Sequence, residues 1–401
     1  MKKLFLTALC AAVAVSVSAQ NKKDEKPKEE KKYEFTVVKE IPMTSVKDQA
    51  GSGTCWSFSG IGLLESELLR QGKGEYDLSE MWIVRNAYRD KAEKYIRMHG
   101  TVEFSGGGAT DNVFEMIRRY GIVPESEYAG LNYGTDRHRH GELDAVMRAY
   151  ADAVIKNKNR SLSTAWLDGM DGILDAYLGR KPESFVYEGV EYTPQTFAEH
   201  LGLNMDDYIS ITSYTHHPFY TQFAVEVPDN WSWATSYNVP LEEMMSVIDN
   251  ALENGYAVEW GSDVSEKGFK WNDGYAIVPE VSGVKNLQDS EKAKWSKLTD
   301  EEKAASEGMQ EGERKEITQE MRQQAFDNYE TTDDHGMIIV GIARDGQGDK
   351  FYKVKNSWGT ENHIYDGYFY ASEPFVAYKT MSITVHKDAI PKELRKKLGI
   401  K

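Results

Sequence analysis

The apolar residues that follow Cys55 recur with helical spacing. Ile61, Leu64 and Leu68 fall on one face of a helix that begins at the cysteine. The preceding residues, 49–54, form a short glycine-rich turn. The helix is predicted to end near Gly72, since glycine commonly follows the last helical turn.

The second half of the chain carries the patterns of β-strands. An apolar run at 337–343 predicts a buried strand, and a turn at 345–348 leads into its hairpin partner, 350–355. This hairpin brings His335, before its first strand, close to Asn356, after its second. Further strands are predicted at 257–261 and 381–386, and helices after Pro240 and at 391–397.

The N-terminal residues have the composition of an exported protein. Lys2-Lys3 precedes an apolar stretch that ends in the small residues Ser18-Ala19, which predicts a signal peptide at 1–19. A membrane anchor is the alternative, but the stretch is shorter than the roughly 20 apolar residues that a span needs. Residues 20–34, rich in Lys, Glu and Pro, predict a disordered tether. The protein is therefore expected in the periplasm or outside the cell.

Charge excludes one class of partner. The net charge of -16 argues against nucleic acid as a ligand. The segment 287–324, dense in Lys, Glu and Gln, predicts exposed helices and a solvated loop rather than a binding site.

After removal of the signal peptide, the chain has a single cysteine, Cys55, so that no disulfide can form within it. Such a thiol is either a harmless buried group or a reactive one. Its predicted position at a helix N-terminus, where unpaired amides and the helix dipole favour a thiolate, supports a nucleophile. Gln49 lies close enough upstream for its amide and the Cys55 backbone N–H to bind a developing oxyanion. The Asn356 side-chain oxygen can orient the His335 imidazole so that its other nitrogen faces the thiol.

These motifs resemble those of the papain superfamily. The resemblance rests on the sequence around Cys55, on His335 leading into an apolar strand, and on Asn-Ser-Trp-Gly at 356–359. It implies an α+β, two-lobed fold in which a helical lobe carries Cys55 and an antiparallel β lobe carries His335 and Asn356. It also implies peptide hydrolysis without cofactor or metal, with Cys55, His335, Asn356 and Gln49 as catalytic residues. Five residues are expected to contact substrate: Gly107, Gly108, Trp56, Asp334 and Trp358.

The spacing of the motifs is similar to that of the bleomycin hydrolase and aminopeptidase C branch. His335 lies 280 residues after Cys55, about twice the separation found in papain. The peptidase domain is expected over 35–401, with helical insertions at about 135–212 and 283–328. The resemblance implies aminopeptidase action on peptides or small proteins, and a hexameric ring.

One departure leaves the specificity open. In that branch the C-terminus reaches into the cleft and holds the substrate amino group, whereas this chain ends at Lys401, about a dozen residues earlier. Endopeptidase or dipeptidyl peptidase action is therefore an alternative, as are acyl transfer or deamidation by the same thiol and peptide binding without catalysis.

Two pairs of histidines are candidate metal ligands. His138 and His140 have no cysteine or carboxylate nearby in the sequence, and the adjacent His216 and His217 are expected to point in different directions. Solvated or structural histidines are the interpretation favoured for both pairs.

Overall fold

The structure is a computed structural model that describes residues 33–280 and 312–401. The predicted signal peptide, nearly all of the predicted tether and most of the predicted insertion at 283–328 lie outside the described residues. Among the described helices, none has the length and apolar composition that crossing a membrane requires.

Most of the helices lie in the first half of the described chain. In chain order, the α-helices of the described residues are α1 (Cys55–Arg70), α2 (Glu80–Arg97), α3 (Asp111–Tyr120), α4 (Gly141–Ile155), α5 (Ala165–Leu178), α6 (Pro194–Leu201), α7 (Leu241–Glu253), α8 (Gln319–Asp327), α9 (Glu373–Lys379) and α10 (Lys392–Leu398). The helices predicted at Cys55, after Pro240 and at 391–397 are confirmed.

Eleven strands form one large sheet. The described strands are β1 (Thr36–Glu40), β2 (Phe185–Tyr187), β3 (Val190–Tyr192), β4 (Tyr208–Thr212), β5 (Gln222–Phe223), β6 (Ser236–Asn238), β7 (Val258–Ser262), β8 (Phe269–Lys270), β9 (Tyr275–Ala276), β10 (Pro279–Glu280), β11 (Gly312–Glu313), β12 (His335–Arg344), β13 (Lys350–Lys355), β14 (Tyr368–Ser372) and β15 (Thr380–His386). The sheet runs in the order β5-β6-β4-β15-β7-β12-β13-β14-β9-β8, and β1 also pairs with β12. Two separate hairpins, β2-β3 and β10-β11, lie outside it.

The central strand β12 carries His335 between two antiparallel neighbours. His335 is opposite Ser262 of β7, while β13 pairs along the other edge and ends immediately before Asn356. The predicted hairpin is therefore confirmed, and its strands fix the spacing of the two polar residues.

Helix α1 packs directly on β12, and glycine makes this approach possible. A Cβ on Gly336 would lie 2.7 Å from Ser59 Oγ and 3.4 Å from the Cα of Trp56. On the helix, a Cβ on Gly62 would lie 2.6 Å from Ile338. Larger residues would push the helix from the strand. The close packing brings the first residue of α1, Cys55, to the end of β12 that carries His335.

Two expectations about exposed segments are wrong. Tyr33, placed in the predicted tether, packs with ring centroids 4.8 Å from Tyr275 and 5.6 Å from Phe351, so the folded part begins before residue 35. Arg322, in the segment predicted to be exposed, is only 1% exposed and donates to Ser213 O at 2.8 Å. Composition does not predict that this arginine is buried, because its hydrogen-bond partners are backbone carbonyls far away in the sequence.

Candidate active site

Cys55 is the first residue of α1 and follows a turn in which Gly53 has φ 66°. The backbone amides of Gly336 and Trp56 act to lower the pKa of its thiol. Desolvation nevertheless raises the pKa of the Cys55 thiol to about 12, and the charges of Asp333 and Asp229 act in the same direction. The expectation that the helix N-terminus would favour a thiolate in the free protein is therefore outweighed by burial.

His335 is buried and held by two neighbours. Its Nε2 lies 2.7 Å from Asn356 Oδ1, and the Trp358 ring stacks on the imidazole with centroids 4.7 Å apart. Burial lowers the pKa of His335 to about 4, although the hydrogen bond to Asn356 acts to raise it. The imidazole is thus neutral at pH 7, and a neutral imidazole can accept a proton from the thiol.

Gln49 is anchored by the residue that follows Asn356. Ser357 Oγ donates to Gln49 Oε1 at 2.7 Å, and the Gln49 backbone N–H donates to Ser357 O at 2.8 Å. Since Oε1 is engaged, the amide nitrogen remains the group that can donate to a substrate oxygen.

The glycines predicted to face substrate lie beside the nucleophile. Trp56 Nε1 donates to Gly106 O at 2.9 Å, and a Cβ on Gly108 would meet the Trp56 indole at 2.8 Å. Trp56, Gly108 and Asp334 share one cavity with Cys55 and His335. Gly107 lies next to it, and its carbonyl accepts from the buried Lys91 ammonium. The structure therefore brings together the predicted Cys, His and glycine residues.

A loop that the sequence did not single out also enters this cleft. Residues 224–235, between β5 and β6, are called the cleft loop here, and they contribute Val225, Val227 and Asp229 to the cavity. A Cβ on Gly107 would lie 2.1 Å from Asp229 Oδ1 and 2.3 Å from Oδ2, so the carboxylate lies directly over the glycine. No pattern in the sequence distinguishes Asp229 from an ordinary loop aspartate.

The cleft is strongly acidic. Its lining includes five carboxylates, Asp111, Asp229, Glu259, Asp333 and Asp334, and among the described residues no lysine or arginine lines it. Burial, followed by the charges of Asp229, Asp334 and Glu259, raises the pKa of Asp333 to about 7. Asp334 differs, because hydrogen bonds with Ser265, Asp263 and Thr332 hold its pKa below the usual value despite burial.

The C-terminal residues lie elsewhere. Leu394 and Leu398 of α10 are buried, and Lys397 pairs with Glu243 of α7 at 2.5 Å. In the described part of the chain, no residue beyond Thr384 lines the cleft.

The histidine pairs have different surroundings. His138 and His140 are buried, and His140 Nδ1 lies 3.0 Å from Tyr88 OH, in keeping with a structural role. The expectation that His216 and His217 point apart is wrong, since the Nε2 atoms of both contact the Glu226 carboxylate.

A cysteine at a helix N-terminus, facing an imidazole oriented by asparagine on a central strand, defines the class of papain-like cysteine peptidases. The sequence matches the Peptidase C1-like family over residues 3–309 and 315–400. The chain belongs to this family.

Similar proteins extend over nearly the whole chain. Aminopeptidase C of Lactobacillus delbrueckii subsp. lactis is 23% identical over 95% of this chain and 86% of its own length. Aminopeptidase C of Streptococcus thermophilus is also 23% identical, over 95% of this chain and 88% of its own length. A crystal structure of PepW from Lactobacillus rhamnosis has a TM-score of 0.66 at 21% identity, covering 91% of this chain and 84% of that one. The papain-like fold predicted from the sequence is confirmed.

Proposed function

We propose that the protein is a thiol-dependent aminopeptidase of the bleomycin hydrolase type, which removes residues from peptides with a free amino terminus. The observation that carries this specificity is the Asp229 carboxylate over Gly107, in the cleft that contains Cys55. The names of the related aminopeptidases support the same activity.

The bond-breaking steps use the residues that surround the thiol. His335 accepts the proton of Cys55 as the sulfur attacks the substrate carbonyl carbon, and the Gln49 amide and the Cys55 backbone N–H donate to the oxyanion. The His335 imidazolium then protonates the leaving amine as the C–N bond breaks, which leaves a thioester on Cys55. Water, deprotonated by His335, attacks the thioester and releases the new carboxylate and the free thiol.

The charge at the cleft favours an amino-terminal residue. Within the described part of the chain, the Asp229 carboxylate accepts no hydrogen bond, since the nearby Lys91, whose charge acts to lower the pKa of Asp229, donates its ammonium hydrogens to Ser105 O and Gly107 O. A protonated α-amino group can therefore donate directly to Asp229.

A matched pair of fluorogenic peptides tests this proposal under reducing conditions, one with a free and one with a blocked N-terminus. We expect cleavage of the free peptide only, and none by Cys55→Ala. Asp229→Asn keeps the shape but removes the charge, and should lower kcat/KM for the free peptide by about tenfold or more, since a hydrogen bond to a charged group is worth about 1.5–3 kcal/mol. Asp273→Asn, an exposed change outside the cleft, is the control.

Equal cleavage of both peptides by the wild type would reject the aminopeptidase specificity and leave a cysteine endopeptidase. Retention of the free-terminus preference by Asp229→Asn would reject the role of this residue alone.

We also propose that the protein is exported after cleavage between Ala19 and Gln20, and that it forms a hexamer like the enzymes it resembles. The composition of 1–19 supports the first proposal. Sequencing of the N-terminus of the cellular protein tests export, since an intact Met1 would contradict it. Analytical ultracentrifugation tests the hexamer, which a monomeric mass would rule out.

A further inference from the structure

Outside the cavity around Cys55, two adjacent histidines converge on one glutamate. His216 Nε2 lies 3.0 Å from Glu226 Oε2, and His217 Nε2 lies 2.8 Å from Glu226 Oε1. One ligand atom from each of the three residues lies within 4.8 Å of the others. Adjacent side chains rarely aim the same atom at one point, so this convergence calls for a physical explanation.

Neighbouring side chains hold both imidazole rings in this orientation. His216 Nδ1 lies 3.0 Å from Gln323 Nε2 of α8, and its ring stacks on Phe326 with centroids 5.5 Å apart. The His217 ring stacks on Phe223 with centroids 4.2 Å apart. Both Nε2 atoms are thus directed at the Glu226 carboxylate, and a metal ion that binds there would replace the protons that they donate to it.

The carboxylate is also accessible to a cation. The three residues remain partly exposed, with side-chain exposures of 29%, 36% and 56% for His216, His217 and Glu226, so an ion and a water ligand have access.

We propose that His216, His217 and Glu226 bind a divalent metal ion of the zinc type, with water as the remaining ligand. Two imidazole nitrogens and one carboxylate oxygen form a donor set that suits Zn²⁺ and not Mg²⁺ or Ca²⁺, which require oxygen ligands. Tetrahedral bonds of about 2.0–2.1 Å separate ligand atoms by about 3.4 Å, so the observed contacts need only small side-chain movements.

The position of these ligands assigns the ion a role in the cleft loop. Glu226 lies between Val225 and Val227, both of which line the cavity with Cys55, whereas both histidines precede β5 and His216 also contacts α8. An ion bound here fastens the start of the cleft loop to the sheet edge and to α8. It takes no part in the reaction, and it stabilises the loop that carries Asp229.

Zinc binding is measured by isothermal titration calorimetry with ZnCl₂ on protein that carries Cys55→Ala, since the thiol is itself a zinc ligand. We expect one ion per chain, and an affinity lower by about tenfold or more in His217→Ala and in Glu226→Gln, because each removes one of three ligands. His200→Gln, an exposed histidine elsewhere, should bind as the parent does, and MgCl₂ should give no binding.

Thermal unfolding gives a second readout that is independent of activity. ZnCl₂ should raise the Tm of the Cys55→Ala protein and leave that of the Glu226→Gln double variant unchanged, since only an ion that binds the folded state stabilises it. Absence of binding in the parent, or equal binding in parent and Glu226→Gln, would overturn the proposal. Glu226→Gln keeps the shape of an exposed side chain and is expected to fold. It therefore tests the site even if His217→Ala misfolds.

Discussion

Asn356 Oδ1 lies 2.7 Å from His335 Nε2, at the open end of the β12-β13 hairpin. This contact uses one imidazole nitrogen and leaves Nδ1 for the Cys55 thiol. Asn356 Oδ1 also accepts from the Ser357 backbone N–H at 2.8 Å, so the oxygen is fixed independently of the histidine. The asparagine therefore acts as a rigid guide for the imidazole.

Asn356→Ala should lower kcat by about ten- to a hundredfold with little change in KM, because a freely rotating imidazole spends less time as an effective base. Steady-state kinetics with a free-terminus peptide measures this effect. Replacement of Trp358, which only stacks on the ring, should cost less. A kcat for Asn356→Ala within twofold of wild type would contradict the guiding role.

Ser357→Ala should also lower kcat, by about tenfold, since it removes the hydrogen bond that holds Gln49 Oε1 and allows the amide to turn. Gln49→Ala should cost more, about a hundredfold. The double variant should be no worse than Gln49→Ala alone, because Ser357 acts through that amide. Additive losses in the double variant would show that Ser357 has a separate role.

Gly107→Ala tests the position of Asp229 from the opposite side of the contact. The new Cβ would displace the end of the Asp229 side chain, which can rotate away at little cost to the fold. We expect a nearly unchanged Tm but a loss of preference for the free-terminus peptide. A large fall in Tm would mean that the site tolerates no Cβ. The role of Asp229 in the preference for a free amino terminus would then be tested by Asp229→Asn.

The raised pKa values of the Glu259 and Asp333 carboxyls should make the stability of the protein depend on pH. Burial raises the pKa of each carboxyl to about 7. A carboxyl with a higher pKa in the folded state contributes stability that is present below its unfolded pKa and lost as pH rises through the folded pKa. These groups should therefore destabilise the protein increasingly from about pH 4 to about pH 7.

Urea unfolding of wild type and Glu259→Gln across pH 5 to 8 checks this contribution. The variant should lose less stability over that range than wild type does. An identical pH dependence in the two proteins would mean that Glu259 does not titrate in the folded state.

Local patterns predicted much of the fold and of the catalytic centre. Helical spacing located α1, and the apolar run with its turn located the β12-β13 hairpin, because each signal lies within a few neighbouring residues. The contact between His335 and Asn356 followed directly from hairpin geometry. The pKa of Cys55 did not follow, because the burial that raises it depends on how α1 packs against Gly336.

The sequence by itself predicted which residues would provide the nucleophile, the base and its orienting amide, since these belong to motifs whose geometry is local. Tertiary structure alone decided that Asp229 covers Gly107 and that His216, His217 and Glu226 converge. Both arrangements depend on the path of the cleft loop, which carries no periodic pattern of its own. That path is set by packing against residues far away in the chain, and spacing along a sequence does not encode such contacts.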